Sequence, residues 1–500
     1  MLFNSFNFLV FFPIVVIVYL GLPKRIRYIW LLIASYFFYM CWNPKYIILI
    51  VFSTFVTYLS SIFIDKLNHS DRANIDFKKK IVVAGSFIIN IGILIFFKYF
   101  DFLLSNINII LKQFHMLPIE NHFNIILPVG ISFFTFQALS YTVDVYRGDV
   151  EVERNFFKYA LFVSFFPQLV AGPIERSKNL VKQINIVPYQ KLWNFKRISN
   201  GLVIMLWGYF LKLVIADRTA ILVNTVFDNF EQYGMVQLIL AAFGFALQIY
   251  CDFSSYSTIA IGAAQVMGFR LMENFNTPYF ARSVPEFWRR WHISLSTWFK
   301  DYLYIPLGGN RCSRWRNRVN LMITFLVSGL WHGADWTYII WGALHGFYQI
   351  IGKMTVPLKK KVNQRLHTKT ESISYQLGQI IITFLLVSFA WIFFRANSVS
   401  DAFQYIYRIF SDINPWTLFD GSLYTLGLEQ KECMVLIVSI IILLLVDLVK
   451  FRRNQQLDVF LGEQCIWFRW GVLIILFFMT ILFGIYGSGY NASQFIYFQF

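Results

Sequence analysis

Apolar stretches long enough to cross a lipid bilayer recur along the chain, and this feature constrains the fold more than any other. A transmembrane helix needs roughly 20 apolar residues, with a range near 17–25. Long stretches lie near 6–22, 28–42, 46–64, 81–99, 125–146, 200–216, 236–252, 374–394, 433–449 and 468–486. Shorter or interrupted ones, which are candidates for re-entrant or interfacial helices, lie near 156–172, 255–269, 285–308, 319–332 and 336–352. The pattern predicts an all-α polytopic membrane protein.

The composition excludes the main alternatives. Of the 500 residues, 57% are apolar, 20% are aromatic and 14% are charged, whereas soluble domains have about 45–50% apolar and about 25% charged residues. A water-soluble globule of this size cannot bury so much apolar surface. Disordered, coiled-coil and collagen-like chains are excluded as well.

The formal net charge of +17 is best explained by membrane topology rather than by binding to nucleic acid. Basic residues concentrate in the cytoplasmic loops of membrane proteins. Basic loops lie near 24–27, 66–80, 176–197, 282–318, 353–369 and 450–453, and the loops between them are poor in Lys and Arg. This alternation predicts that the N-terminus and the C-terminus both lie outside the cytoplasm.

Of the histidines, His332 is the strongest candidate for chemistry. It lies in an apolar stretch between Gly329 and Gly333, and an ionisable residue inside a membrane segment is a functional candidate by default. Imidazole is also suited to proton transfer near neutral pH. The alternative is a structural histidine that bonds a backbone carbonyl. The histidines expected to be solvated in polar loops are His69, His115, His122 and His367.

Two further histidines, His292 and His345, lie near or within apolar stretches. His292 precedes His332 by about 40 residues, and the two side chains are close enough in sequence to meet in the interior of a helix bundle. His345 is better explained as a packing or supporting residue. No HExxH, CxxC or paired-carboxylate motif accompanies them, so no metal site is predicted. The five cysteines have no paired spacing that would predict a disulfide framework or a zinc site.

The segment 282–318 combines Trp288, Trp291 and Trp298 at helical spacing with several basic residues. Trp is enriched at membrane interfaces, so one interpretation is a helix that lies in the cytoplasmic interface. The other is a basic vestibule for an anionic ligand, because Arg side chains fit phosphate. In a separate stretch, Asp252 is a candidate partner for Arg or His, or one half of a buried ion pair.

Several function classes lose support from missing motifs. There is no phosphate-binding glycine loop and no GxSxG elbow, which argues against an ATP-driven pump and a standalone serine hydrolase. A polysaccharide or lipid transporter without acyl chemistry remains an alternative. The absence of a recognisable internal repeat weakens it. A purely structural scaffold for an export complex is the third alternative.

Several motifs, taken in order, resemble the membrane-bound O-acyltransferases, and within them the bacterial alginate O-acetylase branch. The motifs are LPVGISFFTF at 127–136, FPQLVAGP at 166–173, EFWRRWHIS at 286–294, YIPLGGNR at 304–311, GLWHG at 329–333 and the closing FIYFQF at 495–500. The resemblance extends over nearly the whole chain. Where the family usually has Gly and Asp after the Asp-Phe-Ser of the 252 segment, this chain has Ser255 and Thr258.

The resemblance implies a ring of about 10–12 transmembrane helices, with re-entrant and interfacial helices around a central tunnel. It implies one membrane domain, 1–500, divided into N-terminal spans (1–150), a re-entrant catalytic core (151–355) and C-terminal spans with an aromatic tail (356–500). By position in the motifs, His332 and His292 correspond to the catalytic histidines. Tyr497 corresponds to a residue proposed as an acyl relay, for which plain anchoring of the aromatic tail at the membrane interface is the alternative.

The activity implied by the resemblance is O-acyl transfer across a bacterial cytoplasmic membrane. The acyl group, acetyl in this branch, comes from a cytoplasmic thioester, either acetyl-CoA or a carrier-protein thioester. It reaches a cell-surface polysaccharide, with alginate-type exopolysaccharide favoured, through an extracytoplasmic SGNH-type partner. The close alternatives are peptidoglycan O-acetylation and teichoic-acid D-alanylation, and a lipid acyltransferase is a more distant one. Arg289, Arg290 and Arg311 are candidates for binding the phosphates of the donor.

Overall fold

The structure, a computed structural model, describes residues 1–70, 74–123 and 126–486. Within these residues it consists of helices and connecting loops, with no β-strand. The α-helices are α1 (Phe6–Gly21), α2 (Arg27–Met40), α3 (Ile47–Asn68), α4 (Ile75–Leu94), α5 (Phe100–Gln113), α6 (Ile131–Arg147), α7 (Phe156–Ser164), α8 (Phe166–Leu169), α9 (Ser177–Ile186), α10 (Phe195–Phe210), α11 (Asp217–Phe227), α12 (Met235–Met267), α13 (Val284–Arg290), α14 (Ile293–Phe299), α15 (Arg314–His332), α16 (Trp336–Arg365), α17 (Ile373–Arg395), α18 (Val399–Ser411), α19 (Gln430–Arg453), α20 (Leu457–Gly462) and α21 (Ile466–Phe483).

Seven helices in the described part of the chain are long and apolar enough to cross a membrane. They are Pro44–Asn68, Ile75–Gln113, Phe195–Phe227, Met235–Met267, Ile373–Arg395, Gln430–Arg453 and Ile466–Phe483. Their outward faces expose large apolar side chains, as lipid contact requires. The prediction of an all-α polytopic membrane protein is confirmed, whereas the ring, the tunnel and the topology of the termini stay predictions.

The chain forms two units. The first consists of Met1–Leu202 and Ile259–Met272, and the second of Val203–Thr258 and the described residues from Glu273 onward. In the first unit α3 packs against α4, α6 and α7, and α2 packs against α7. In the second unit the antiparallel pair α15 and α16 is the most extensive helix contact, and α17 packs on α16. The division of the chain into 1–150, 151–355 and 356–500 stays a prediction.

The structure differs from the sequence pattern at two places. The stretches 236–252 and 255–269 belong to one continuous helix, α12, in which the polar residues between them, Asp252 and Ser254, are buried inside the protein. The segment around Trp288, Trp291 and Trp298 is not one continuous helix. It breaks into α13 and α14 at Trp291, and all three indoles are buried.

A π-helical segment, Leu211–Ala216, interrupts the span formed by α10 and α11. A π-segment disturbs the regular i→i−4 bonding and makes backbone carbonyls available to other donors. The carbonyl of Leu213 accepts from the backbone N–H of Ile485 at 3.0 Å. The Arg218 guanidinium donates to the carbonyls of Val214 and Phe483 at 2.8 and 2.9 Å. The exit of α21 is thereby held against this segment of the second unit.

The same π-segment places Lys212 in a buried cluster of charges. Its ammonium lies 2.7 Å from a carboxylate oxygen of Asp217 and 2.6 Å from one of Asp252. Removing one member of a buried ion pair costs about 3–5 kcal/mol, because the remaining charge is uncompensated. The interpretation of Asp252 as one half of a buried ion pair is therefore confirmed.

In the first unit, Glu175 is a buried carboxyl group that should make stability depend on pH. Burial raises the pKa of Glu175 to about 7, although the backbone N–H of Met272 and the Asn179 amide donate to the carboxyl. In the unfolded chain the pKa lies near 4.5. The folded state therefore binds more protons between about pH 4.5 and 7, and the free energy of unfolding falls as pH rises through that window.

We expect the thermal unfolding temperature in detergent to decrease from pH 5 to pH 7.5. Over this pH range the free energy of unfolding of the parent should fall by up to about 3 kcal/mol more than that of Glu175→Gln, whose side chain stays neutral. Glu151→Gln, at an exposed position, is the matched control and should follow the parent. The same pH dependence of the unfolding temperature in the parent and in Glu175→Gln would contradict a raised pKa of Glu175.

Candidate active site

His332 is the last residue of α15 and is 4% exposed. Close contact between α15 and α16 fixes its position. A Cβ atom at Gly329 would lie 2.3 Å from the carbonyl oxygen of Tyr338, and one at Gly342 would lie 2.3 Å from the carbonyl oxygen of Phe325. Only glycine lets the two backbones approach so closely. The first glycine of the GLWHG motif is therefore required by the packing of α15 against α16.

Aromatic side chains surround the His332 ring. The rings of Trp331 and Trp341 both lie 5.0 Å from it and nearly perpendicular to it, and Phe394 lies at 5.5 Å. Trp391 stacks on Trp341 at 5.4 Å. Such a shell excludes water and lowers the local dielectric, which strengthens electrostatic interactions with a reacting group.

His292 lies in a different local structure, immediately before α14, and is fully buried. Its φ of 42° and ψ of 54° place it in the left-handed region, which is unfavourable for a residue with a Cβ atom. The backbone N–H of Ile293 donates to the carbonyl of Asn274 at 2.9 Å and holds this conformation. Strain that the surrounding structure enforces in this way is frequent at functional sites.

Asn274 also sets the tautomer of His292. Its side-chain oxygen accepts from the backbone N–H and the hydroxyl of Ser294 at 3.2 and 2.9 Å, so this atom is an acceptor. His292 Nδ1, 3.1 Å from the same oxygen, must therefore carry the proton. Burial lowers the pKa of His292 to about 3, so the ring is neutral and its lone pair is on Nε2.

The structure brings the two histidines together, as the sequence suggested. The ring centroids of His292 and His332 are 6.4 Å apart, and the Trp331 ring contacts both. Asn274 could not be recognised from the sequence, because a single Asn in a loop has no distinguishing signal. A neutral imidazole held by an amide beside a second buried imidazole is an arrangement suited to proton transfer.

The other predicted residues have different surroundings. His345 is buried in α16, and its Nδ1 accepts from the Trp288 indole at 3.2 Å, which fits a supporting role. Arg290 donates to Glu286, Asn276 and Thr277 at 3.0–3.2 Å. Arg289 and Arg311 are exposed. The four loop histidines at 69, 115, 122 and 367 are exposed as predicted, and Tyr497 lies outside the described residues.

Comparison with known proteins shows the family. The family model described as MBOAT, the membrane-bound O-acyltransferase family, matches residues 150–398. The chain is 38% identical over 457 residues to the probable alginate O-acetylase AlgI of Pseudomonas aeruginosa, across 91% of this chain and 82% of that protein. The chain belongs to the membrane-bound O-acyltransferase family. The residues that match the family model include both His292 and His332.

Two further relatives of this O-acyltransferase act in other pathways according to their names. The peptidoglycan O-acetyltransferase of Helicobacter pylori is 37% identical over 406 residues, across 75% of this chain and 72% of that protein. The teichoic acid D-alanyltransferase of Streptococcus thermophilus is 29% identical over 286 residues, across 52% and 68% respectively. Membership of the family favours an enzyme over the transporter and scaffold alternatives.

Proposed function

We propose that this O-acyltransferase takes an acetyl group from a cytoplasmic thioester, with acetyl-CoA as the favoured donor, and passes it across a bacterial cytoplasmic membrane. The acetyl group then modifies a cell-surface polysaccharide with the help of an extracytoplasmic SGNH-type partner. An alginate-type polysaccharide is favoured because of the similarity to the Pseudomonas aeruginosa protein. The observation that supports acyl transfer most directly is the buried histidine pair, 6.4 Å apart in an aromatic shell.

In this proposal His332 is the general base. The acceptor hydroxyl oxygen attacks the thioester carbonyl carbon, a C–O bond forms, and the C–S bond breaks. The hydroxyl proton passes to His332 and then to the thiolate of the leaving group, so that a thiol and an ester are the products. His292, neutral and fixed by Asn274, orients the donor or shares the proton.

The developing negative charge on the carbonyl oxygen needs a hydrogen-bond donor. The indole N–H of Trp341 is buried, and no residue in the described part of the chain accepts a hydrogen bond from it. Its ring lies 5.0 Å from the His332 ring. We therefore include Trp341 in the proposal as a donor available to the oxyanion.

Tyr497 is the proposed relay. Its phenol oxygen attacks the thioester carbonyl carbon and forms an aryl acetyl ester, and the thiol leaves. An acceptor hydroxyl on the outer side later attacks this ester, takes the acetyl group, and gives its proton to the phenol oxygen. The role rests on the position of Tyr497 in the closing motif FIYFQF at 495–500. Two of the last described residues before it, Phe483 and Ile485, bond to Arg218 and Leu213 in the same unit as the histidines.

Substituting Tyr497 by Phe keeps the aromatic ring and removes the nucleophile. If the relay operates, polysaccharide acetylation by the complete system in membranes should fall by at least tenfold, whereas thioester binding should not change. Tyr486→Phe is the matched control, since it alters a tyrosine near the same end of the chain. Undiminished acetylation in the Tyr497 variant would exclude the relay and favour interfacial anchoring.

The function itself is tested with the full chain in nanodiscs and radiolabelled acetyl-CoA. We expect release of free CoA together with label on the protein, and transfer of the label to a polysaccharide when the partner is added. Label transfer from an acetylated carrier protein but not from acetyl-CoA would identify the carrier as the donor. Absence of CoA release and of label transfer with both donors and the partner present would contradict acyl transfer.

The similarity to the Helicobacter pylori protein favours peptidoglycan as a second candidate acceptor. Supplying alginate and peptidoglycan in parallel to the same labelled preparation separates the two. D-alanyl transfer to teichoic acid is the third option, and the same transfer assay with a D-alanyl carrier protein as the donor would detect it. Each option uses the same histidine pair.

A further inference from the structure

A groove of about 680 Å³ lies between the membrane-spanning helices α17 and α19 of the second unit. Residues of α12 and of the turn Pro278–Phe280 also line it. Ile381 of α17 and Leu444 of α19 line the groove and are exposed, so in a membrane the groove is open to lipid. Its volume is within the range of about 300–1,000 Å³ that is usual for ligand sites.

Aromatic contacts fix both helices that border the groove. The Phe384 ring of α17 lies 5.2 Å from the Tyr279 ring and 5.3 Å from the Phe243 ring of α12. The Phe451 ring of α19 stacks on the Phe280 ring at 5.3 Å. Both helices are thus held against the turn that contains Tyr279 and Phe280. The groove between them is therefore preformed, as most sites for small molecules are.

The two helices run in opposite directions. Arg395, the last residue of α17, donates to the side chain of Asn224 at 2.8 Å. Gly427, just before α19, packs against Thr225. Asn224 and Thr225 are neighbours in the last turn of α11, so the end of α17 and the start of α19 lie close together. The start of α17 and the end of α19 therefore lie together at the far ends of the two spans.

Polar side chains of the groove lie at these far ends. Gln376 is in the first turn of α17, and Arg452 is in the last turn of α19. From there the groove follows both helices for about 17–18 Å, as far as Phe384 and Ile440, at 1.5 Å per residue. The lining residues of α17 and α19 along this path are apolar. Since one leaflet is about half of a hydrocarbon core of about 30 Å, the groove has the length of one leaflet.

Two cations at the polar end have no ion partner in the described part of the chain. Arg452 is exposed and forms no ion pair there. The Arg282 guanidinium lies 5.9 Å from the centroid of the Phe451 ring, and its buried Nε donates to no described residue. Arg290, 5.2 Å from the same ring, is already paired with Glu286 at 3.0 Å. Guanidinium groups without a carboxylate partner are well suited to phosphate.

We propose that this groove binds an anionic phospholipid of the cytoplasmic leaflet. One acyl chain lies between α17 and α19, and the phosphate lies at Arg452 and Arg282. The basic loops near 353–369 and 450–453 predict that the polar end faces the cytoplasm, and basic pockets between spanning helices on that side bind anionic head groups. A phospholipid matches both the apolar length and the cationic end, whereas a soluble anion would leave the apolar wall uncovered.

The first test concerns the head group. Native mass spectrometry of the full chain in detergent gives the Kd of phosphatidylglycerol and of phosphatidylcholine, and we expect the former to bind at least tenfold more tightly. Arg452→Gln should raise the Kd of phosphatidylglycerol by about fivefold, since a basic residue near an anionic lipid contributes about 1 kcal/mol. Arg453→Gln removes the same charge from the same turn and should leave the Kd within twofold, because Arg453 lies on Phe460 outside the groove.

The second test concerns the acyl chain. Leu444→Trp places an indole in the groove and should raise the Kd of phosphatidylglycerol by at least tenfold. Ile441→Trp is the matched control, because both side chains are 51% exposed on α19 and only Leu444 lines the groove. Its Kd should stay within twofold of the parent. Phosphatidylglycerol should also raise the thermal unfolding temperature of the parent and of Ile441→Trp, but not of Leu444→Trp, because a ligand of the folded state stabilises it by mass action.

Three outcomes would overturn the site. The first is an equal Kd for phosphatidylglycerol and phosphatidylcholine in the parent, since the groove would then be covered by bulk lipid. The second is an equal effect of the two arginine substitutions, or of the two tryptophan substitutions. The third is a dimer of the chain that is lost in Leu444→Trp and kept in Ile441→Trp, which would assign the groove to a second copy. None of these measurements uses a thioester donor, so this site and the proposed function are tested separately.

Discussion

Replacing His332 with alanine is expected to lower acyl transfer by about 10²–10⁴-fold, the range that general acid–base catalysis contributes. The side chain is 4% exposed and contacts the His292 ring in a shell that excludes water. No solvent base can replace it efficiently in such a site. The measurement is the rate of CoA release and of label transfer from radiolabelled acetyl-CoA.

The controls separate catalysis from packing. His332→Gln keeps a polar side chain of similar size and should lose activity nearly as strongly as His332→Ala, while its thermal unfolding temperature stays close to that of the parent. His367→Ala, at an exposed loop position, should retain full activity. Parental rates in His332→Ala would exclude this residue as the base.

The second large effect is expected from Gly342→Ala. The added Cβ atom would lie 2.3 Å from the carbonyl oxygen of Phe325 and 3.2 Å from the Cα atom of Gly329. Both neighbours are backbone atoms of α15, so the two helices must separate. Overpacking of this kind costs about 1–3 kcal/mol or more. Trp341 would move with α16, and its contact with His332 at 5.0 Å would change.

We therefore expect Gly342→Ala to lower both the thermal unfolding temperature in detergent and the transfer rate. Gly352→Ala lies on the same helix, and nothing is within 4 Å of its added Cβ atom. That control should be neutral or stabilised by up to about 1 kcal/mol, because alanine is the better helix former. Equal unfolding temperatures for the two variants would show that the close approach of α15 and α16 is not required.

Some of the functional candidates could be recognised from the sequence, and others could not. His332 was recognisable because an ionisable group stood in an apolar stretch between two glycines, and burying such a group is costly. His292 was recognisable from the motif that contains it and not from the hydropathy of the residues around it. Asn274, which sets the tautomer of His292, was missed since its role depends on a loop meeting α14. Lys212 was missed for the same reason, because its partner Asp252 lies on another helix.

The sequence by itself determined the membrane class, the helical architecture and the exposure of the four loop histidines. These properties follow from local composition, since about 20 apolar residues can cross a bilayer only as a hydrogen-bonded helix. The tertiary structure decided that α12 continues through Asp252, that Trp291 is buried at a helix break, and that His292 lies beside His332. Those features depend on which side chains meet across helices. Close backbone approach at Gly329 and Gly342 and bonding to distant partners are set by packing, which apolar periodicity along one chain does not encode.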